Sequence, residues 1–147
     1  EVFKECEHKR QFALIVAIES HFYPEVGEST AGAIGLTQLM PQYVSEFGTI
    51  CGIQGATAED VRKDYEMNLT IGACLFRSLI DSFDGNVASA ALAYNAGKAS
   101  LSLQQLHQLG TITNQESAGY LAKLFYLNQL TKPKEKLVAS GLRKDRI

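Results

Sequence analysis

The chain has 147 residues, 46% of them apolar and 20% charged, with a formal net charge of −2. That is one domain's worth of chain, long enough to bury a core, and with no interleaved basic and aromatic patch it excludes a nucleic-acid footprint. No run approaches the roughly 20 apolar residues a membrane span needs, and the opening Glu1-Val2-Phe3-Lys4-Glu5 is not that of a signal peptide. A start without Met is expected of a mature or trimmed form of something longer.

The apolar spacing is helical from the start. Residues 4–20 form a first long helix, with Phe12, Ile15, Val16 and Glu19 at i, i+3, i+4 and i+7 and with Glu5, Glu7, Lys9 and Arg10 solvated. Tyr23-Pro24 ends it, and a loop runs to Gly35. Residues 36–47 form a short helix with Pro41 near its start or at a bend, and 48–55 form a loop. Thr57, followed by Glu59 and Asp60, caps a short helix. A second long helix runs from Tyr65 or Met67 to Phe83; Asp84-Gly85 breaks it and Asn86 caps the next, 87–95.

Residues 100–109 are a further amphipathic segment. Thr113-Asn114-Gln115-Glu116 has the arrangement of a capping box and opens a last helix with Leu121, Leu124, Phe125, Leu127 and Leu130 on its inner side. Past Thr131 the composition turns basic, dividing a domain of residues 1–131 from a charged tail of 132–147. With no strand-like alternation and no repeat, the fold class is all-α, a single domain.

Cys6, Cys51 and Cys74 and the scattered His8, His21 and His107 lack metal-ligand spacing, so neither a metal nor a cofactor is expected. One disulfide with a leftover thiol, in any of three pairings, and three free thiols are both open readings. The residue with the strongest chemical signal is Glu19. It ends the apolar run Phe12-Ala13-Leu14-Ile15-Val16-Ala17-Ile18, where a helix meets a cleft. Partial desolvation there disfavours the charged carboxylate and raises its pKa, and a carboxylic acid kept protonated can give its proton to a leaving oxygen. No second carboxylate stands out, since Glu25 and Glu28 fall in the loop.

Several motifs appear in a fixed order: Glu19-Ser20; the segment from Ser29 to Pro41, Ser-Thr-Ala-Gly-Ala-Ile-Gly-Leu-Thr-Gln-Leu-Met-Pro; Asn68 to Ala73; Ala93-Tyr94-Asn95-Ala96-Gly97; and Glu116 to Tyr120. Together they resemble the soluble, goose-lysozyme-like lytic transglycosylase domain. The resemblance implies a lysozyme-like fold and cleavage of the β-1,4 bond between N-acetylmuramic acid and N-acetylglucosamine in peptidoglycan. It implies Glu19 as the catalytic residue, with Ser20, Ser29, Gln38, Met40, Tyr94, Asn95, Glu116 and Tyr120 against the substrate. Thr37 departs from the family pattern, which usually has Met there. The expectation is that its loss of an apolar wall alters how a sugar packs.

For several of these residues a plainer reading stands beside the functional one. Ser20 at a helix end also reads as a cap, Tyr94 as a core aromatic and Glu116 as a helix cap. Gln38 and Met40 are expected to face the cleft, Gln38 offering an amide that suits an N-acetyl group. Asn68-Leu69-Thr70 fits a glycosylation sequon but falls inside a helix and is discounted. With one carboxylate, lytic cleavage is favoured over hydrolysis, because the muramic acid's own 6-hydroxyl can attack C1. The competing readings are a hydrolytic muramidase and a non-catalytic wall-binding scaffold subunit, against which an intact Glu19 argues. The expected setting is exported, periplasmic or wall-associated, as a monomer. Its partners are glycan strands and, by analogy with small stand-alone domains, proteins of a secretion or conjugation apparatus.

Overall fold

The computed structural model describes residues 2–96 and 115–131, with side chains from 7 to 96 and from 118 to 131. Six helices account for most of this: α1 (Val2–Ser20), α2 (Pro41–Ile50), α3 (Ala58–Lys63), α4 (Tyr65–Ser82), α5 (Val87–Ala96) and α6 (Gln115–Leu130). Among the described residues there is no strand beyond two isolated bridges, Glu28 with Ile34 and Ile34 with Leu39, so the all-α reading holds. The expected segment 100–109, the capping residues Thr113 and Asn114, and the tail 132–147 lie outside the described residues.

Helix α4 is the hub, packing against α1, α2, α3 and α5. Its residues Ile71, Leu75, Phe76, Leu79 and Ile80 are buried, at the spacing that keeps one helical face inward. Small side chains let α5 approach it closely, since Ala90, Ala91 and Ala93 are buried in the contact. Phe76 stacks on Phe12 of α1 and meets the edge of Tyr94 of α5. Capping chemistry at the boundaries follows the expectation. Thr57 and Asp60 form a reciprocal capping box on α3, Asn86 Oδ1 accepts the Ser89 N–H at 3.1 Å, and Asp84 and Gly85 break the chain after α4 with φ of 53° and 85°.

Four expectations need correction. Helix α1 starts at Val2 rather than at Lys4, and it ends at Ser20 as expected, where His21 and Phe22 take left-handed φ values of 52° and 59°. The second helix starts at Pro41, whose missing N–H costs nothing in the first turn. Residues 36–40 form a buried turn instead, and α2 runs on through Gly48, where a side chain would press on Ala56 and Ile53. On α6, Tyr120 and Leu124 are buried and Leu127 packs on the core. Phe125 and Leu130, expected inside, are 66% and 64% exposed, because the helix is apolar around more of its circumference than the core can cover.

Cys51 at the end of α2 is bonded to Cys74 in α4 as a disulfide, with Cα atoms 6.2 Å apart. This selects one of the three pairings. Helix α6 lies antiparallel against α1. Arg10 holds its far end, donating to Asn128 Oδ1 at 2.6 Å and Thr131 Oγ1 at 2.8 Å, and Tyr120 meets Glu19 at the other.

Candidate active site

Glu19 sits in the last turn of α1, half-buried, with Oε1 shielded from solvent. Val16 and Ile15 are buried one turn back, so the rigid stripe of α1 aims the carboxyl group and leaves it little water. Two phenols from different helices face it. Tyr120 of α6 is buried with its hydroxyl shielded from solvent beside Glu19; desolvation first, then the charge of Glu19, hold it well above the ordinary phenol range. Tyr94 of α5 is likewise raised, chiefly by burial and then by the charge of Glu19. Both therefore remain neutral at physiological pH.

The ring of Tyr94 is spent on the core, edge-on to Phe76 at 6.2 Å between centroids. What it brings to the site is its hydroxyl. The single proton of that hydroxyl is donated to the Thr37 carbonyl at 2.7 Å, so toward other groups Tyr94 offers only lone pairs.

The segment from Ser29 to Met40 forms the floor behind these groups. Ser29 Oγ accepts the Ala33 N–H at 3.0 Å, and Ile34 and Leu39 exchange backbone hydrogen bonds of 2.9 and 3.0 Å. Gln38 has φ 50°, and its Nε2 donates to the Gly35 carbonyl at 3.0 Å. Its amide donor thus holds the turn together. Met40 is buried at the N-cap of α2, and Ser20, also buried, donates to the Val16 carbonyl at 3.0 Å, as a helix-end serine does. Asn95 is half-buried beside Tyr94. The side chain of Glu116 lies outside the described residues. Of the expected site residues, then, Glu19, Tyr94 and Tyr120 come together, and Ser20, Ser29, Gln38 and Met40 build the scaffold around them.

Sequence alone assigns no role to Asn68, which is fully buried in α4. Its Oδ1 accepts the Thr37 N–H at 3.0 Å and the Thr37 hydroxyl at 2.9 Å, while Nδ2 donates to the Ile34 carbonyl at 2.9 Å. One side chain satisfies three buried polar groups of a turn that water cannot reach. The available signal was a polar residue at i−4 from a glycine within an apolar helix, Asn68 and Gly72. A Cβ on Gly72 would lie 2.7 Å from Cβ and Cγ2 of Thr37. Thr37 is thus pressed against the backbone of α4 and wholly buried, which corrects the expectation that threonine in place of the family's methionine takes an apolar wall away from the sugar.

The family model described as Transglycosylase SLT domain matches residues 4–118. The chain belongs to that family. Its fold is similar to that of the lytic transglycosylase Slt from Pseudomonas aeruginosa, solved as an inactive mutant, with a TM-score of 0.68 and 24% identity over 90% of this chain. The chain spans 24% of the length of that protein.

Proposed function

We propose that this chain is a peptidoglycan lytic transglycosylase that uses Glu19 as its single acid and base. Glu19 protonates the glycosidic oxygen between N-acetylmuramic acid and N-acetylglucosamine, the bond from that oxygen to C1 breaks, and the substrate's 2-acetamido group stabilises the oxocarbenium-like centre. The Glu19 carboxylate then takes the proton of the muramic acid 6-hydroxyl as O6 bonds to C1. Glu19 regains its proton, no water is consumed, and a 1,6-anhydro end is left. Tethering O6 beside C1 gives it the effective molarity that lets it outrun water.

The observation that carries this reading is a shielded carboxyl group facing two buried, neutral phenols, in a chain of this family. The loop carboxylates are engaged elsewhere: Glu28 accepts from Arg62 of α3 at 2.6 Å, and Glu25 lies exposed beside the Tyr23 hydroxyl. The similar Slt was solved as an inactive mutant with glutamine in place of a glutamate, which parallels the loss expected of Glu19→Gln here.

Ser20, Ser29, Gln38, Met40, Tyr94, Asn95, Glu116 and Tyr120 shape the cleft in this reading, some by contact and some through the floor. The activity resides in residues 1–131, and truncation after Thr131 leaves the products unchanged. The Cys51–Cys74 bond suits an oxidising, extracytoplasmic compartment. None of the described helices is long and apolar enough to cross a membrane. There the protein acts as a monomer on glycan strands, opening gaps for an envelope-spanning secretion or conjugation apparatus.

Two measurements test the reaction. Glu19→Gln should lower cleavage of purified peptidoglycan by about 10² to 10⁴-fold, the usual worth of acid–base assistance; retention of more than a tenth of the activity, against that range, removes Glu19 from the mechanism. Mass spectrometry of the products should show anhydromuramic ends, lighter by one water than hydrolytic ends. Reducing ends that borohydride converts would instead establish a muramidase.

A further inference from the structure

The buried turn of residues 36–40 is held from two sides. Its chain runs on into α2 at Pro41. On the other side Asn68 of α4 binds the Thr37 N–H at 3.0 Å, the Thr37 hydroxyl at 2.9 Å and the Ile34 carbonyl at 2.9 Å. The far end of α2 returns to α4 through the Cys51–Cys74 disulfide, just past Asn68 and Gly72 on that helix, and Cys51 Sγ lies 3.6 Å from the Thr70 carbonyl. Turn, α2, disulfide and α4 thus form a closed ring, part covalent and part hydrogen-bonded. The remaining hold of α2 is slight. Of its ten residues, Val44, Phe47 and Gly48 are buried, Tyr43 packs on the core from its side, and a helix that short is not stable by itself.

We propose that the Cys51–Cys74 pair is a redox switch for the floor of the site: bonded, it closes the ring and fixes the turn; as two thiols, it lets α2 and the turn come away from α4. This rests on the reading of the site as that of a lytic transglycosylase. Both cysteines are half-buried and so within reach of an exchanging thiol or disulfide. Closing the switch takes an external disulfide as oxidant. Cys51 and Cys74 give up their two S–H bonds and two electrons and gain the S–S bond, while the oxidant's S–S bond breaks to leave two thiols. Excess thiol drives the reverse. A reducing compartment keeps the pair as thiols and an oxidising one joins them, so cleavage is confined to the side of the membrane where peptidoglycan lies. The bond spans a sequence separation of 23, and a constraint on a loop of that size shifts an opening equilibrium by about 10²-fold. The segment it closes carries Asn68, so the loss falls on the turn before it reaches the contact of α4 with α5.

The test follows cleavage of purified peptidoglycan and amide hydrogen exchange in the oxidised chain and in the chain treated with a phosphine reductant that carries no thiol. Reduction should slow cleavage about tenfold or more, and removing the phosphine and adding oxidised glutathione should restore it. The Thr37 and Leu39 amides should exchange about 10²-fold faster when reduced, in line with the lost constraint, while those of Ala90 and Ala91 in α5 keep their rates. Cys51→Ser and Cys74→Ser should be as slow as the reduced wild type and indifferent to the reductant, and Cys6→Ser should respond as wild type does. Unchanged cleavage and unchanged Thr37 exchange on reduction would overturn the proposal. So would a response to the reductant that persists in Cys51→Ser. Faster exchange in every helix, with loss of helical circular dichroism, would make the bond a support of the whole fold and overturn it equally. Oxidised chain that cleaves no peptidoglycan removes the lytic reading, and exchange at Thr37 then decides the switch by itself, whereas cleavage that reduction leaves untouched overturns the switch alone.

Discussion

Between α1 and α2 the chain makes two passes that are held in opposite ways. Residues 21–28 are exposed throughout, kept in shape by short-range backbone hydrogen bonds such as Tyr23 N–H to the Ser20 carbonyl and by the surface pair of Glu28 with Arg62. Residues 33–40 are buried except for the half-buried Gly35, and their polar groups are satisfied by one another, by Asn68 and by Tyr94. A buried turn must find a protein partner for every polar group, whereas an exposed one can use water. The first pass can vary at little cost. The second is tied to the same hydrogen bonds that orient the candidate acid's neighbour.

The sharpest way to break this contrast is Asn68→Ala. It orphans the Thr37 N–H and the Thr37 hydroxyl in the interior, at about 1–3 kcal/mol for each unsatisfied group, and leaves the Ile34 carbonyl with the Leu39 N–H alone. Denaturant unfolding should show a loss of about 3 kcal/mol or more on that basis; a loss below about 1 kcal/mol would mean that the turn does not depend on Asn68.

Two glycines sharpen the comparison at a finer scale. Gly35 and Gly32 both have left-handed φ, 68° and 89°, but a Cβ on Gly35 would lie 2.8 Å from Asn68 Nδ2 while one on Gly32 meets nothing within 4 Å. Gly32→Ala should cost about 1 kcal/mol of backbone strain alone. Gly35→Ala should cost about twice that, because a displaced core side chain adds to the strain. Equal losses in thermal unfolding would show that space around Gly35 does not matter.

The buried and exposed parts should also answer pH from opposite sides. Tyr94 and Tyr120 have phenols raised by burial and by the charge of Glu19. Their contribution to stability is fully present below the unfolded phenol value of about 10 and is lost as pH rises through the raised folded values. Replacing both with Phe should flatten that alkaline decline. On exposed α3, the Thr57 hydroxyl hydrogen bond holds Asp60 below its ordinary value. Its contribution is present above the usual carboxylate range and is lost as pH falls through the lowered value, so Asp60→Asn should flatten only the acid side. The smallest effect belongs to the surface: Glu28→Ala should cost less than about 1 kcal/mol, as exposed pairs do, and a larger loss would show that the outer pass is structurally coupled to the inner one.

Local chemistry determined much of this protein before any folding was considered. The apolar stripe ending in Glu19, the Thr57–Asp60 box, the Asn86 cap and the Asp84-Gly85 break are all decided within a few residues of chain, where spacing and backbone preference act directly. Tertiary structure decided what depends on a distant partner. Residues 36–40 become a turn because Asn68, from another helix, satisfies their buried backbone. Thr37 faces α4 rather than a sugar because Gly72 leaves a space of its size. Tyr94 gives its ring to Phe76 and its proton to Thr37, so its position near Glu19 depends on three helices packing together. Cys51 selects Cys74 because α2 packs on α4, and Phe125 and Leu130 remain outside because α1 and α5 cover only one face of α6. Side-chain type and spacing are properties of a segment, but burial and hydrogen-bond partners arise only when separate segments meet.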